Sequence, residues 1–175
     1  MDILISSNLE RLIYLSTGCN SAKTAQLMED LRTKGVYEVS EDMRQFMADF
    51  VGGFAEEPEV FKTIRDLKEE AGYVLDPHTA VASAVYKQYA EKTGDTRKTV
   101  IASTASPYKF ALNVMKALGY DVEHQDVFAV IDQLSEISGV PEPRAIREVR
   151  NAAIRHSEVC EISEMKKMVE DFLFV

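Results

Sequence analysis

The 175-residue chain has only two cysteines, Cys19 and Cys160, far apart and outside any metal-ligand spacing. Its three histidines, His78, His124 and His156, form no zinc motif. This pattern speaks against a disulfide framework and a structural zinc site, and it fits a reducing cytoplasmic setting with both thiols free. Basic charge is also scarce. Lys and Arg total 20 against 29 acidic residues, a formal net charge of -9. No basic run is long enough to track a phosphate backbone, so nucleic acid is not an expected partner. No apolar run approaches the ~20 residues of a membrane-spanning helix. The opening MDILISS carries no basic stretch ahead of a long apolar one, so neither a membrane partner nor a secretion signal is expected. Glycine-rich loops are missing as well, Gly52–Gly53 being an isolated pair. There are no repeats, no low-complexity segments and no long linkers.

What remains is a globular composition, 46% hydrophobic, with a length suited to one domain of ordinary size. Helical patterns dominate. Ser7-Asn8-Leu9-Glu10 fits a capping box leading an apolar stripe of Leu9, Leu12 and Ile13, and that helix stops near Gly18. A second helix is expected from about Ser21 to Lys34, closed by Gly35. Ser40 caps a third, through Met43, Phe46 and Met47, and a fourth carries Phe61, Ile64 and Leu67 to Gly72. Asp76-Pro77 and Ser106-Pro107 each place a capping side chain before a proline whose missing N–H costs nothing at a helix start. Further helices start at Asp126, after "GVPEP", and near Ser163. Strand signals are few. "VYEVS" alternates, and "TVIAST" reads as a short, fully buried strand running into a helix. The expected class is α/β: helix-rich, with a few short, mostly parallel strands, too few to complete a sheet.

Two turns have the composition to hold a ligand. In open α/β folds ligands sit beyond the carboxyl ends of strands, where helix N-termini present free N–H groups. "ASTASPYKF", residues 102–110, occupies such a place. Thr104 and Ser106 supply hydroxyls that can donate to a ring nitrogen or accept from an amide, and Ala105 leaves room for an approach. Equally, Ser106 can be only a cap and Thr104 only the end of a strand. "LDPHTAVA" puts His78 and Thr79 on a first helical turn, where an imidazole can bond a ligand, relay a proton, or simply be satisfied by backbone. Lys109 admits three readings: a nucleophilic lysine, a phosphate contact, or a solvated surface residue. The methionines at helical spacings read as core filler.

In order, "MDILISSNLERL", "GYVLDPHTAVA" and "ASTASPYKF" resemble the C-terminal part of threonine synthase, a pyridoxal-phosphate enzyme of the tryptophan-synthase-β-like fold (fold type II). The weaker tail through "RHSEV" extends the likeness over nearly the whole chain. Some family members have TAHPAKF at the second motif. Ser106 and Tyr108 replace its His and second Ala, so neither side chain is general to the chemistry. The resemblance implies that the whole chain, 1–175, is a single C-terminal fragment of a larger enzyme. The Schiff-base lysine and the loop cradling the cofactor phosphate would precede it, and no Ser-Phe-Lys motif occurs here. No catalytic residue is then expected in the fragment, and it should neither turn over substrate nor hold pyridoxal phosphate by itself.

By the same likeness the 102–110 turn would meet the pyridine end of the cofactor. Thr104 would face the ring nitrogen, with Ser103 its neighbour. A hydroxyl there, unlike a carboxylate, does not keep that nitrogen protonated, which leaves a milder electron sink. Lys109 becomes a support at the site edge. His78, Thr79, Asn8, Arg11 and Lys109 are the expected substrate-lining residues, with Asn8 and Arg11 near a phosphate. The implied lyase reaction converts O-phosphohomoserine and water to threonine and phosphate. An opposing reading makes the chain a non-catalytic, helix-rich interaction module whose turns are only caps. The fragment reading expects an exposed apolar face, open to self-association, where the module reading expects a covered core.

Overall fold

The computed structural model describes residues 5–155 and 157–174. The opening Met1–Leu4 and His156 of the "RHSEV" stretch therefore lie outside the described residues. The chain divides into two compact units, Met1–Gly53 and Phe54–Val175.

The first unit holds α1 (Ser7–Ser16), α2 (Ser21–Lys34) and α3 (Glu41–Phe46). The cap of α1 is Ser6, one residue ahead of the expected box; its side chain accepts from the Leu9 amide. Asn20 caps α2, and Gly35 closes it at φ 74°. Ile13, Leu27 and Met43, one from each helix, make the small core. In "VYEVS" the alternation is real, since Tyr37 and Val39 pack on that core while Val36 is exposed. The segment nevertheless pairs with no neighbour and is not a strand.

The second unit contains α4 (Glu57–Ala71), α5 (Pro77–Thr93), a 3-10 turn (Pro107–Phe110) leading into α6 (Ala111–Ala117), α7 (Val127–Ser138), α8 (Arg144–Arg150), and a second 3-10 turn (Ile162–Glu164) before α9 (Met165–Leu173). α4 packs on α5 and α6, and α6 on α7. The core is built from one face of each, with Ile64, Ala80, Val114, Met115, Val130 and Leu134 fully enclosed. Caps set the registers. Asp76 and Asp126 each accept two backbone amides at the starts of α5 and α7, which satisfies donors that a helix start leaves unpaired.

The α/β expectation is overturned. Among the described residues there is no strand, so the few short parallel strands are absent and only the helix-rich part of that reading stands. "TVIAST" is irregular, and it is not buried: Thr99 is exposed and Val100 is 94% exposed. A run of β-branched residues becomes a strand only when another strand takes its N–H and C=O groups. These residues have no such partner.

Candidate functional site

Two helix starts approach one another at the N-terminal end of α5. Asp76 is 1% exposed, and its carboxylate is filled by this chain's own donors. Oδ1 accepts from the His78 amide at 2.9 Å and the Thr79 amide at 3.1 Å. Oδ2 accepts from the Thr79 hydroxyl. Thr79, itself 4% exposed, also reaches Ser103 Oγ at 3.2 Å. That contact joins "DPHTA" to "ASTASP" across 24 positions of chain.

The 3-10 turn supplies the other wall. Ser106 accepts from the Tyr108 amide at 3.3 Å, so it is a cap. Tyr108 turns away into the core, where its hydroxyl donates to the Val140 carbonyl and lies 3.3 Å from Ser138 Oγ. Phe110 then presents its ring to two candidate residues. His78 meets it edge-on at 5.1 Å and 63° between planes, and Lys109 Nζ stands 5.6 Å from its centroid.

Of the expected residues, His78, Thr79, Ser103 and Lys109 are therefore linked by direct contacts or through the Phe110 ring. Thr104 is exposed beside Ser103, and its hydroxyl has no partner among the described residues. Asn8 and Arg11 belong to the first unit. There Arg11 donates to Asn8 Oδ1 at 3.2 Å and lines a groove of about 420 Å³ with Ser7, Glu10 and Tyr14. A further groove, about 740 Å³, lies along α9 and shares no lining residue with the 102–110 turn.

Sequence reasoning passed over Asp76 and Phe110 as parts of the site. Asp76 was readable only as a cap. The added signal was a hydroxyl three residues on, Thr79, on the same face of the first turn and able to take the second carboxylate oxygen. Nothing local marks Phe110, whose role depends on His78 arriving from another helix.

The donor set suits a neutral heteroaromatic nitrogen. Ser103 and Thr104 offer exposed hydroxyls, Lys109 adds an exposed ammonium at the far end of the turn, and the one buried carboxylate nearby is already occupied by three donors.

Residues 79–159 match the family model "Threonine synthase, C-terminal". Threonine synthase-like 1 of Homo sapiens is 34% identical over 119 residues, covering 67% of this chain and 16% of that protein. The crystal structure of PLP-bound threonine synthase from Brucella melitensis is 36% identical with a TM-score of 0.58, over 69% of this chain and 25% of that one. The crystal structure of threonine synthase from yeast is 25% identical with a TM-score of 0.70, over 99% of this chain and 35% of that one. The chain thus spans between about a sixth and a third of the length of these relatives. With these matches and the two joined motifs, the chain belongs to the threonine synthase family, as a C-terminal portion of it.

Proposed function

We propose that this chain forms the ring-nitrogen side of the pyridoxal-phosphate pocket in an enzyme that converts O-phosphohomoserine and water to threonine and phosphate. The observation that carries the reading is the unpartnered Thr104 hydroxyl, exposed on a turn whose neighbour Ser103 is tied to the buried start of α5. Pyridoxal phosphate, when bound, supplies an electron sink for carbanions next to its point of attachment. This chain's contribution is to meet the ring nitrogen with a neutral hydroxyl at Thr104, with Ser103 second. Phe110 gives a flat apolar edge beside the site, and His78 stands against it with a ring nitrogen able to bond substrate. Thr79 backs Ser103, and Lys109 adds positive charge at the rim. Asn8 and Arg11 are assigned to the substrate phosphate, for which guanidinium and amide donors are suited. The Schiff-base lysine and the phosphate-cradling loop are assigned to polypeptide beyond these residues, so the 175 residues alone should produce no threonine. Two unpaired thiols, Cys19 and Cys160, fit a cytoplasmic setting.

The test is Thr104→Asp in the longer polypeptide that also carries the lysine. A carboxylate at this position would keep the ring nitrogen protonated. The expected result is a shifted absorption band of the bound cofactor and a turnover lower by orders of magnitude. An unchanged spectrum and rate would remove Thr104 from the pocket.

A further inference from the structure

We infer that Asp76 is a positioning residue for the 103–105 segment, acting through the Thr79 hydroxyl. Residues 102–105 carry no regular structure, and Ser103 and Thr104 are exposed. A segment of this kind has little packing to hold it and samples many conformations unless something ties it down. The tie is the contact from Thr79 Oγ1 to Ser103 Oγ. Thr79 can act as an anchor because it is itself fixed. Its amide and hydroxyl both go to Asp76, and Asp76 is almost wholly enclosed at the start of a 17-residue helix.

One carboxylate therefore does two jobs. Oδ1 closes the first turn of α5 as an ordinary cap. Oδ2 holds the Thr79 hydroxyl in the rotamer that faces Ser103. A cap needs only the first. The second accounts for a buried charged acceptor at a position where serine or asparagine would cap as well. Its significance for catalysis rests on the reading of Thr104 given above, because the residue delivered by the tied segment is the neighbour of Ser103.

The experiment measures the tie in this chain without cofactor, so it can fail separately from the pocket assignment, which Thr104→Asp tests. Backbone 15N order parameters at Ser103, Thr104 and Ala105 are compared among wild type, Thr79→Val, Thr79→Ser, Ser103→Ala and the Thr79→Val/Ser103→Ala pair. The expected wild-type values approach those of rigid backbone, about 0.85, and fall below about 0.6 in Thr79→Val and in Ser103→Ala. The double variant should be no looser than either single one, and Thr79→Ser should restore the wild-type value. Thr79→Val keeps both backbone amides on the Asp76 cap, so the first turn of α5 should stay ordered while 103–105 loosens. Asp76→Ser, which keeps a capping oxygen but loses Oδ2, should loosen 103–105 in the same way. An Asp76→Ser chain with 103–105 unchanged would make Asp76 a cap only. Unchanged order parameters at 103–105 in both single variants, or additive losses in the pair, would overturn the inference. Ser103→Ala changes an exposed side chain outside the cap, so it decides the matter even if Thr79→Val does not fold.

Discussion

Arg150 shows how much one side chain can organise when its charge, its two terminal nitrogens and its flat face are used together, even though its buried Nε has no hydrogen-bond partner among the described residues. It donates to Asp132 at 2.6 and 2.9 Å and to Glu142 at 2.8 Å, and its guanidinium carbon lies 5.1 Å from the Phe128 ring centroid. It thereby fastens the end of α8 to α7 and to the loop between them. Hydrogen bonds from Arg150 hold the Asp132 carboxyl below its ordinary value. The sign of the consequence follows. A carboxyl whose folded pKa is depressed adds stability above its unfolded value of ~3.9, and that contribution is lost as pH falls through the lower folded value. Asp132 is 58% exposed, so solvent screens the pair and the effect is modest. Arg150→Met is expected to lower the melting temperature by a few degrees at pH 7. It should also flatten the acid limb of melting temperature against pH below about 4, where the wild type loses the pair. Equal acid slopes in the two proteins would show that the ion pair adds nothing.

At the scale of the element, the helix boundaries were the most legible feature of the chain. Capping side chains and terminal glycines act on their own neighbours, so a pattern read along the sequence contains the whole cause. Asp76-Pro77, Asp126 and the glycines after α2 and α4 all stand where the pattern put them. Gly139 gives a direct check. It ends α7 at φ 69° and donates to the Ser135 carbonyl at 3.0 Å, and nothing lies within 4 Å of the position a Cβ would take. Gly139→Ala should therefore cost only the left-handed backbone strain, about 1 kcal/mol in urea unfolding. A loss several times larger would mean that the side chain meets something. The strand readings failed for the opposite reason. Alternation in "VYEVS" and β-branching in "TVIAST" state a preference, but a ladder is made by the residues opposite, which lie elsewhere in the sequence or outside it.

For the whole molecule, the informative feature is apolar surface without cover. α9 buries none of its residues, and Met165, Val169 and Leu173, at helical spacing, are each more than half exposed. Val159 and Ile162 just before it are 93% and 87% exposed. Exposed apolar residues along a helix are what the fragment reading expects, because apolar area of this kind is normally covered by a partner or by more of the same protein. The expected behaviour of the isolated chain is concentration-dependent self-association in sedimentation. The pair Val169→Asp and Leu173→Asp should abolish it, since each places a charge in the face that would be buried. A wild-type chain that remains monomeric across the dilution series would count against an adhesive face. The sequence by itself determined most of the helices, several of their ends and the two motifs, because those depend on near neighbours and on residue chemistry. Only the tertiary structure decided that "TVIAST" is not a strand, that Tyr108 serves the core, and that Thr79 meets Ser103. Each of these depends on which groups from distant positions arrive to satisfy a donor, fill a cavity or leave a surface bare.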